Sequence, residues 1–375
     1  MFPSGDQRRG VRCGPYAPCS MRARMHVDIA PPRLHLRMVA ARTGRAAGRR
    51  HGSGGRTPNL GFRDPETTGD FLMKIPPRFP EFKTIETEDR PWIQEVLDAY
   101  RPETSEWTFT NLFIWRSHYN FRWSWMENLL VVVGDSDEGG RFALQPMGPG
   151  RRGDATGEIL DWMAREWGVS DPRIQRADRR LADELEGDGR FIVEPTREHF
   201  DYVYRTRDLV ELAGRKYHGK RNHVNRFRST YRFEYAPLGE VHRRACLELA
   251  DSWCRWRRCE EDLNLLGELE AIREVLTHLD RLPVEGGVIL VDGMVEAFAL
   301  GELLNEETVV VHVEKGNPEL PGIYAVINQQ FCEHRWSGVP WVNREQDLGE
   351  PGLRKAKLSY HPDHLVEKYQ IRRAD

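Results

Sequence analysis

The sequence predicts a mixed α/β (α+β) fold in two lobes, and three observations lead there. The chain has 375 residues, 39% of them apolar, with eleven tryptophans, which is enough to build two cores. Runs of period-2 apolar residues alternate with stretches of helical periodicity in both halves. In the second half, long helical patterns lead into three strand patterns joined by tight turns, then a helix and a last strand.

The first 72 residues stand apart. They hold 13 Arg, no Lys and five acids among many Gly, Pro, Ala and Ser, and the first lysine, Lys74, directly follows Met73. Without them the chain has 42 basic against 53 acidic residues, about −11. The near-neutral total therefore conceals a basic tail on an acidic body. Such text fits translated upstream sequence ahead of a start at Met73, a transit peptide, or a nucleic-acid-binding arm. It has too little apolar periodicity for a core, and disorder is expected. The organisation read from the sequence is an extension over 1–73, an N-terminal lobe over 74–205 and a C-terminal lobe over 206–375.

The first globular element is a helix entered through Thr87–Pro91, with Trp92, Ile93, Val96, Leu97 and Tyr100 on one face. An aromatic block from Trp107 to Trp125 follows, and the alternation of Phe121, Trp123 and Trp125 predicts a strand. These rings suit a core better than base stacking. Leu129–Val133 is a buried strand stopped by Gly134, paired with Phe142–Leu144. Gly157–Trp167 is an amphipathic helix ended by Gly168, Ala177–Leu185 a second, and Phe191–Val193 a strand. Phe200–Arg207 is the crossing between lobes.

The second lobe opens with a basic helix in which Lys216, Lys220, Arg221, Arg226 and Arg228 are interspersed with His218 and His223, and Val224 and Phe227 face inward. In an acidic body this cluster is either a solvated face or an anion-binding one. Helices follow over Glu240–Glu260 and around Leu269–Leu279, the second stopped by Pro283. Gly287–Val291, a turn at Asp292-Gly293, Val295–Leu304 and Thr308–Val313 form the meander. Pro321 starts a helix carrying Tyr324, Ile327 and Phe331, and Pro340–Asn343 is the last strand.

No apolar run approaches the ~18–20 residues needed to cross a bilayer, and no secretory signal pattern is present, so a soluble, cytoplasmic chain is expected. Of six cysteines, Cys13 and Cys19 lie in the tail, Cys246, Cys254 and Cys259 on one helix and Cys332 on another. No CxxC pair occurs, so buried thiols are expected and no metal site.

Chemistry concentrates between Trp341 and Pro362. The last strand delivers Asn343, Arg344, Glu345, Gln346 and Asp347; glycines 349 and 352 turn the chain; a basic segment carries Arg354, Lys355 and Lys357, then Tyr360. Polar residues behind a strand, beside glycines, are what a site at a strand end looks like.

The stretch LRKAKLSYHP fits L-x-x-x-K-x-x-[FY]-x-P and resembles the ending of the C-terminal catalytic domain of lysylphosphatidylglycerol synthases. Together with KRNHVNRF, GGVILVDGMVEAFALGE and VNREQDLGEPGLRKAKLSYHP, it is similar to standalone cytosolic relatives of that domain, from about Ile75 onward. The resemblance implies two tandem GNAT-like lobes, each a mixed, mainly antiparallel sheet flanked by helices. It implies an acyltransferase related to enzymes that take an amino acid from aminoacyl-tRNA, with no bound cofactor. Carried over residue by residue, Lys357 would stabilise the oxyanion of transfer. Arg354 and Lys355 would contact phosphate or ribose, with Lys220, Arg221, Arg344 and Tyr360 as further substrate contacts. Asn343, Glu345 and Asp347 would bind the donor's α-amino group, and Glu345 or Asp347 would act as base. His312 and Glu314, read as facing opposite sides of a strand, are weaker candidates. The acceptor, a small molecule, peptide or lipid, and the oligomeric state are not legible.

Two rival readings stand beside this one. One is an acetyl-CoA-dependent N-acetyltransferase, although Pro318 and Pro321 remove amides from the loop that would cradle a pyrophosphate. The other is a binding protein that keeps the fold without the activity.

Overall fold

A computed structural model describes residues 75–136 and 140–374. The Arg-rich extension, the disorder expected for it, and Cys13 and Cys19 lie outside the described residues.

Strand β1 (Lys83–Thr84) precedes α1 (Arg90–Tyr100), whose Pro91 occupies the first turn. Helix α2 (Phe109–Ile114) is capped by Thr108, whose hydroxyl accepts the Asn111 N–H. Strands β2 (Arg122–Met126), β3 (Leu129–Ser136) and β4 (Gly140–Leu144) form a meander. Helix α3 (Arg152–Trp167) ends on left-handed Gly168 and leads to β5 (Ile174–Ala177). Helix α4 (Arg179–Leu185), capped by Asp178, precedes β6 (Phe191–Pro195) and β7 (Asp201–Arg205). Then come α5 (Thr206–Glu211), α6 (His218–Thr230), β8 (Phe233–Pro237), α7 (Glu240–Arg257) and α8 (Leu263–Thr277). A second meander, β9 (Glu285–Val291), β10 (Met294–Asn305) and β11 (Thr308–Gly316), is followed by α9 (Ile323–Arg335) and β12 (Trp341–Asn343). The chain closes with α10 (Pro351–Leu358), β13 (His364–Val366) and β14 (Tyr369–Arg373).

The two seven-stranded sheets share one plan. Their orders are β1-β2-β3-β4-β5-β14-β6 and β13-β7-β12-β11-β10-β9-β8. Each has three antiparallel strands of a meander, and each has one parallel pair, β4 with β5 and β11 with β12, bridged by a helix. This is the two-lobed mixed α/β fold expected from the sequence. The next strand of each sheet comes from the other half of the chain. β7 pairs with β12 and β13 in the second sheet, and β14 pairs with β5 and β6 in the first. The boundary read at 205/206 therefore does not coincide with the boundary between sheets. The exchange leaves no local trace, because β7 and β14 have ordinary strand sequences whose partners lie far along the chain.

Two local expectations change. Gly134 does not stop a strand; it lies within β3, where a Cβ would meet the Phe142 ring at 2.7 Å. Helix α7 stops at Arg257, and Arg258 turns left-handed (φ 54°), so Cys259 lies beyond it. The basic segment before Tyr360 is a helix, α10.

One apolar cluster joins the lobes: Phe109, Trp123 and Val132 from the N-terminal half pack in the same core as Leu249, Ile272, Phe298 and Leu300. The aromatic block is thus core, each large side chain contributing on the order of 1.5–3 kcal/mol by burial. Cys246, Cys254, Cys259 and Cys332 are buried free thiols, and burial pushes Cys246 and Cys332 up to about 12. Among the described residues no helix is long and apolar enough to cross a membrane.

Candidate active site

The parallel strands β11 and β12 are hydrogen-bonded only over Thr308–Val310 and Trp341–Asn343. β11 runs on to Gly316, whereas the chain leaves β12 at Arg344 and bends through Glu345, which has a left-handed backbone (φ 55°). A wedge therefore opens at the carboxyl ends of two parallel strands, the usual ligand position in such sheets. On the other side of β11, Leu300 pairs with Val313 and Gly301 with Val311, which leaves His312 as the extra residue of a bulge. Gly301 permits the close approach, since a Cβ there would lie 2.6 Å from the Val310 carbonyl oxygen. In a regular strand residues 312 and 314 share a face. The bulge separates them, so His312 meets Glu302 and Glu345 while Glu314 meets Arg344 and Asn328.

Helix α10 brings Lys357 into the wedge. Pro351 stands in its first turn, and residues 354 and 357, three apart, share its inner face. Lys355 points outward and is exposed. Lys357 is buried, and its Nζ donates to the carbonyl of Arg344 and, at 3.4 Å, to that of Glu345. Burial, reinforced by the nearby Arg344 cation, lowers its pKa to about 8. Arg344 pairs with Glu314 and lies over the Tyr360 ring, 4.9 Å from its centroid; Lys220 of α6 lies 3.8 Å from the same centroid.

Several expected site residues are committed elsewhere. Asp347, expected as donor wall or base, is fully buried and accepts Arg354 through both oxygens (2.8 and 2.9 Å), the Tyr202 hydroxyl (2.6 Å) and the Gly349 N–H (2.9 Å). Burial opposes its charge, but these donors outweigh it and hold the carboxyl well below the usual carboxylate range, which makes it a poor base. Arg354, expected on phosphate or ribose, is the partner that pins Asp347. Asn343, expected at the donor's amino group, donates to Asp201 (3.0 Å) and to the Glu103 carbonyl (3.3 Å), and accepts the Glu345 N–H (2.8 Å). Arg221 donates to the carbonyls of Leu212 and Gly214 and caps the loop before α6. Lys357, Glu345, Arg344, Tyr360 and Lys220 are the expected residues that meet at the wedge.

Two buried clusters are not legible as clusters in the sequence. In the first, His312 bridges Glu302 and Glu345, each at 2.9 Å, and the Asn111 amide approaches Glu345 at 3.4 Å. Burial disfavours the imidazolium, but the two carboxylates outweigh it and raise the His312 pKa to about 9. Glu302 was legible as a lone carboxylate in the apolar run AFALGELL, which demands a partner. The sign of the linkage follows: His312 contributes stability that is complete below about 6.5 and lost as pH rises through 9. Lys357 and Lys220, both lowered to about 8, act oppositely above pH 8. The stability advantage of the wild type over His312→Gln is therefore expected to shrink by about 1.5 kcal/mol between pH 6.5 and 8. Urea titrations of both proteins at the two pH values check this, since His199 and the two lysines titrate in both and cancel in the difference.

In the second cluster Lys368, fully buried on the turn into β14, donates to Asp201 (2.6 Å), Glu106 (2.7 Å), Ser105 (3.3 Å) and Gln346 (3.3 Å). Asp201 in turn holds Asn343, so the end of the chain anchors the strand that carries the wedge. Nothing local marks Lys368. Among the described residues no group of three His, Cys, Asp or Glu is arranged to hold a metal ion.

Comparison with known proteins follows the same outline. The family model described as phosphatidylglycerol lysyltransferase, C-terminal, matches residues 98–372. A crystal structure of a conserved protein of unknown function from Bacteroides thetaiotaomicron is 33% identical, with a TM-score of 0.72, covering 78% of this chain and 99% of that one. The C-terminal domain (DUF2156) of a putative lysylphosphatidylglycerol synthetase from Agrobacterium fabrum is 13% identical, with a TM-score of 0.55, covering 77% of this chain and 92% of that one, a likeness of fold. An uncharacterised protein of Mycoplasmoides gallisepticum is 21% identical over 174 residues, 46% of this chain; the match spans 56% of that relative's length.

Proposed function

Since the chain belongs to the phosphatidylglycerol lysyltransferase C-terminal family, we propose that it transfers an aminoacyl group from aminoacyl-tRNA to an amine or hydroxyl acceptor. The observation that carries this reading is a buried lysine, Lys357, held at the mouth of the β11/β12 wedge with no carboxylate partner among the described residues. Such a cation is suited to a negative charge that appears only during reaction. The acceptor nitrogen or oxygen attacks the aminoacyl ester carbonyl, the new bond forms, and the carbonyl oxygen becomes an oxyanion beside the Lys357 ammonium. Glu345, at the same mouth, takes the acceptor's proton. The tetrahedral centre then collapses, the ester C–O bond breaks, and the tRNA hydroxyl leaves with the proton that Glu345 returns. Positioning and electrostatics suffice; no covalent enzyme intermediate is required. The acceptor, whether small molecule, peptide or lipid, presents a nucleophile to the Glu345 side.

The acetyl-CoA alternative is disfavoured by the loop between β11 and α9. Four of its N–H groups are already hydrogen-bonded: Asn317 donates to the Glu296 carbonyl, Glu319 to the Asn317 side chain, Leu320 to the Asn317 carbonyl, and Ile323 to the Leu320 carbonyl. Pro318 and Pro321 have none to offer. Gly322, left-handed at φ 101°, lies so close to the His223 carbonyl of α6 that a Cβ would meet its oxygen at 2.8 Å. A pyrophosphate would meet a carbonyl there, not a row of amides.

The test supplies the full chain with charged total tRNA or with acetyl-CoA, each with a pool of amine and hydroxyl acceptors. Loss of the aminoacyl ester matched by a new amide or ester is the expected result. Acetyl-CoA turnover would favour the acetyltransferase reading, and consumption of neither donor would favour a binding protein; both outcomes overturn the proposal.

A further inference from the structure

We propose that Lys220 and Arg344, gathered on the Tyr360 ring, form a phosphate subsite. Both cations lie against the Tyr360 ring, at 3.8 and 4.9 Å from its centroid, so they stand within about 9 Å of each other. They are near enough for the Arg344 charge to help lower the Lys220 pKa. Arg344 is matched by Glu314, but Lys220 makes no ion pair among the described residues. Lys357 adds a third positive charge, its Nζ resting on the Arg344 carbonyl. Three cations, Lys220, Arg344 and Lys357, thus stand against two carboxylates, Glu314 and Glu345, in a largely dehydrated place, an excess of one positive charge. Burial pushes Lys220 down to about 8, the mark of a cation short of counter-charge.

A second observation points the same way. The Arg344 Nη1 is buried and has no hydrogen-bond acceptor. Guanidinium donors closed off from water need an acceptor, and a phosphate oxygen is the natural one for a planar fork. Lys220, half-buried and tied to no carboxylate, is the side chain able to swing and admit it. The number of acceptors sets the ligand class: a phosphate monoester offers three oxygens, enough for the Arg344 fork and the Lys220 ammonium together, whereas a carboxylate offers two.

Assigning this phosphate to the acyl donor rests on the transferase reading above; phosphate binding itself does not. Calorimetric titration of inorganic phosphate into the full chain at low salt tests it. Saturable binding is expected, weakened about tenfold in Lys220→Met and unchanged in Arg226→Met, which removes an exposed cation of the same helix. Thermal unfolding verifies that each variant is folded, with Lys220→Gln as the substitute should methionine fail. The subsite is overturned if the wild type shows no saturable binding, if Lys220→Met binds as tightly, if Arg226→Met loses as much, or if acetate binds as well as phosphate. A short RNA and coenzyme A then separate the two sources of phosphate; whichever binds with a loss in Lys220→Met supports the subsite and names its source. Phosphate binding without aminoacyl transfer sinks the transferase reading alone, and transfer without phosphate binding sinks the subsite alone.

Discussion

Lys357→Met is expected to reduce aminoacyl transfer by about 10²–10³-fold, the loss that follows removal of one oxyanion donor from a water-poor site. The prediction depends on where the charge stands. Lys357 projects from the inner face of α10 into the wedge, and its nearest protein groups are the carbonyls of Arg344 and Glu345. Those dipoles position the ammonium without neutralising it. Methionine fills the space of the stem but leaves the Arg344 carbonyl without its donor, while the Glu345 carbonyl keeps the Tyr202 N–H, so stability should drop by about 1–3 kcal/mol. That drop does not account for a loss of turnover, and two readouts separate the causes. Lys357→Arg keeps the charge and should retain part of the activity. In the wild type kcat should decline as pH rises past about 8, where Lys357 loses its proton. Unchanged turnover in the methionine variant, or a profile with no alkaline limb, sinks the assignment.

Lys368→Met is expected to destabilise the fold by about 3–5 kcal/mol, because it leaves buried Asp201 without an ion pair beside Glu106, which keeps, among the described residues, only the Arg176 guanidinium at 3.8 Å. Asp201 and Glu106 lie 2.6 and 2.7 Å from the ammonium, all three out of reach of water. Burial already raises the Asp201 pKa in spite of Lys368, so in the variant Asp201 would take up a proton. The double variant Lys368→Met/Asp201→Asn should therefore recover part of the loss, since the orphaned charge is removed. Urea-unfolding midpoints of the wild type and both variants measure it. A change below about 1 kcal/mol in the single variant would mean that the cluster is hydrated and contributes little.

The candidate site was legible in part. The stretch from Asn343 to Tyr360 stood out because polar residues and glycines follow an apolar strand, and the basic helix stood out against an acidic body. Which of those side chains are available was not legible. Asp347 and Arg354 both looked like chemistry, and they neutralise each other. Asn343 looked like a ligand contact and serves the backbone of Glu345 and the buried Asp201. His312 looked peripheral; the bulge turns it toward Glu302 and Glu345, and a bulge depends on the pairing of two strands.

What the sequence by itself determined is the local layer: two blocks of strands and helices, the meander with its Asp292-Gly293 turn, the inward Val224 and Phe227 of α6, and the family motif that ends in Lys357. These follow from periodicity, turn chemistry and spacing, which act over a few residues. Only the tertiary structure decided that β7 and β14 change places between the sheets, that Lys368 holds the wedge from the far end of the chain, and that Lys220 and Arg344 meet on Tyr360. The physical reason is the same in each case. A buried charge or an unpaired strand edge is stable only with its partner, and these partners lie up to 262 or 263 positions away along the chain.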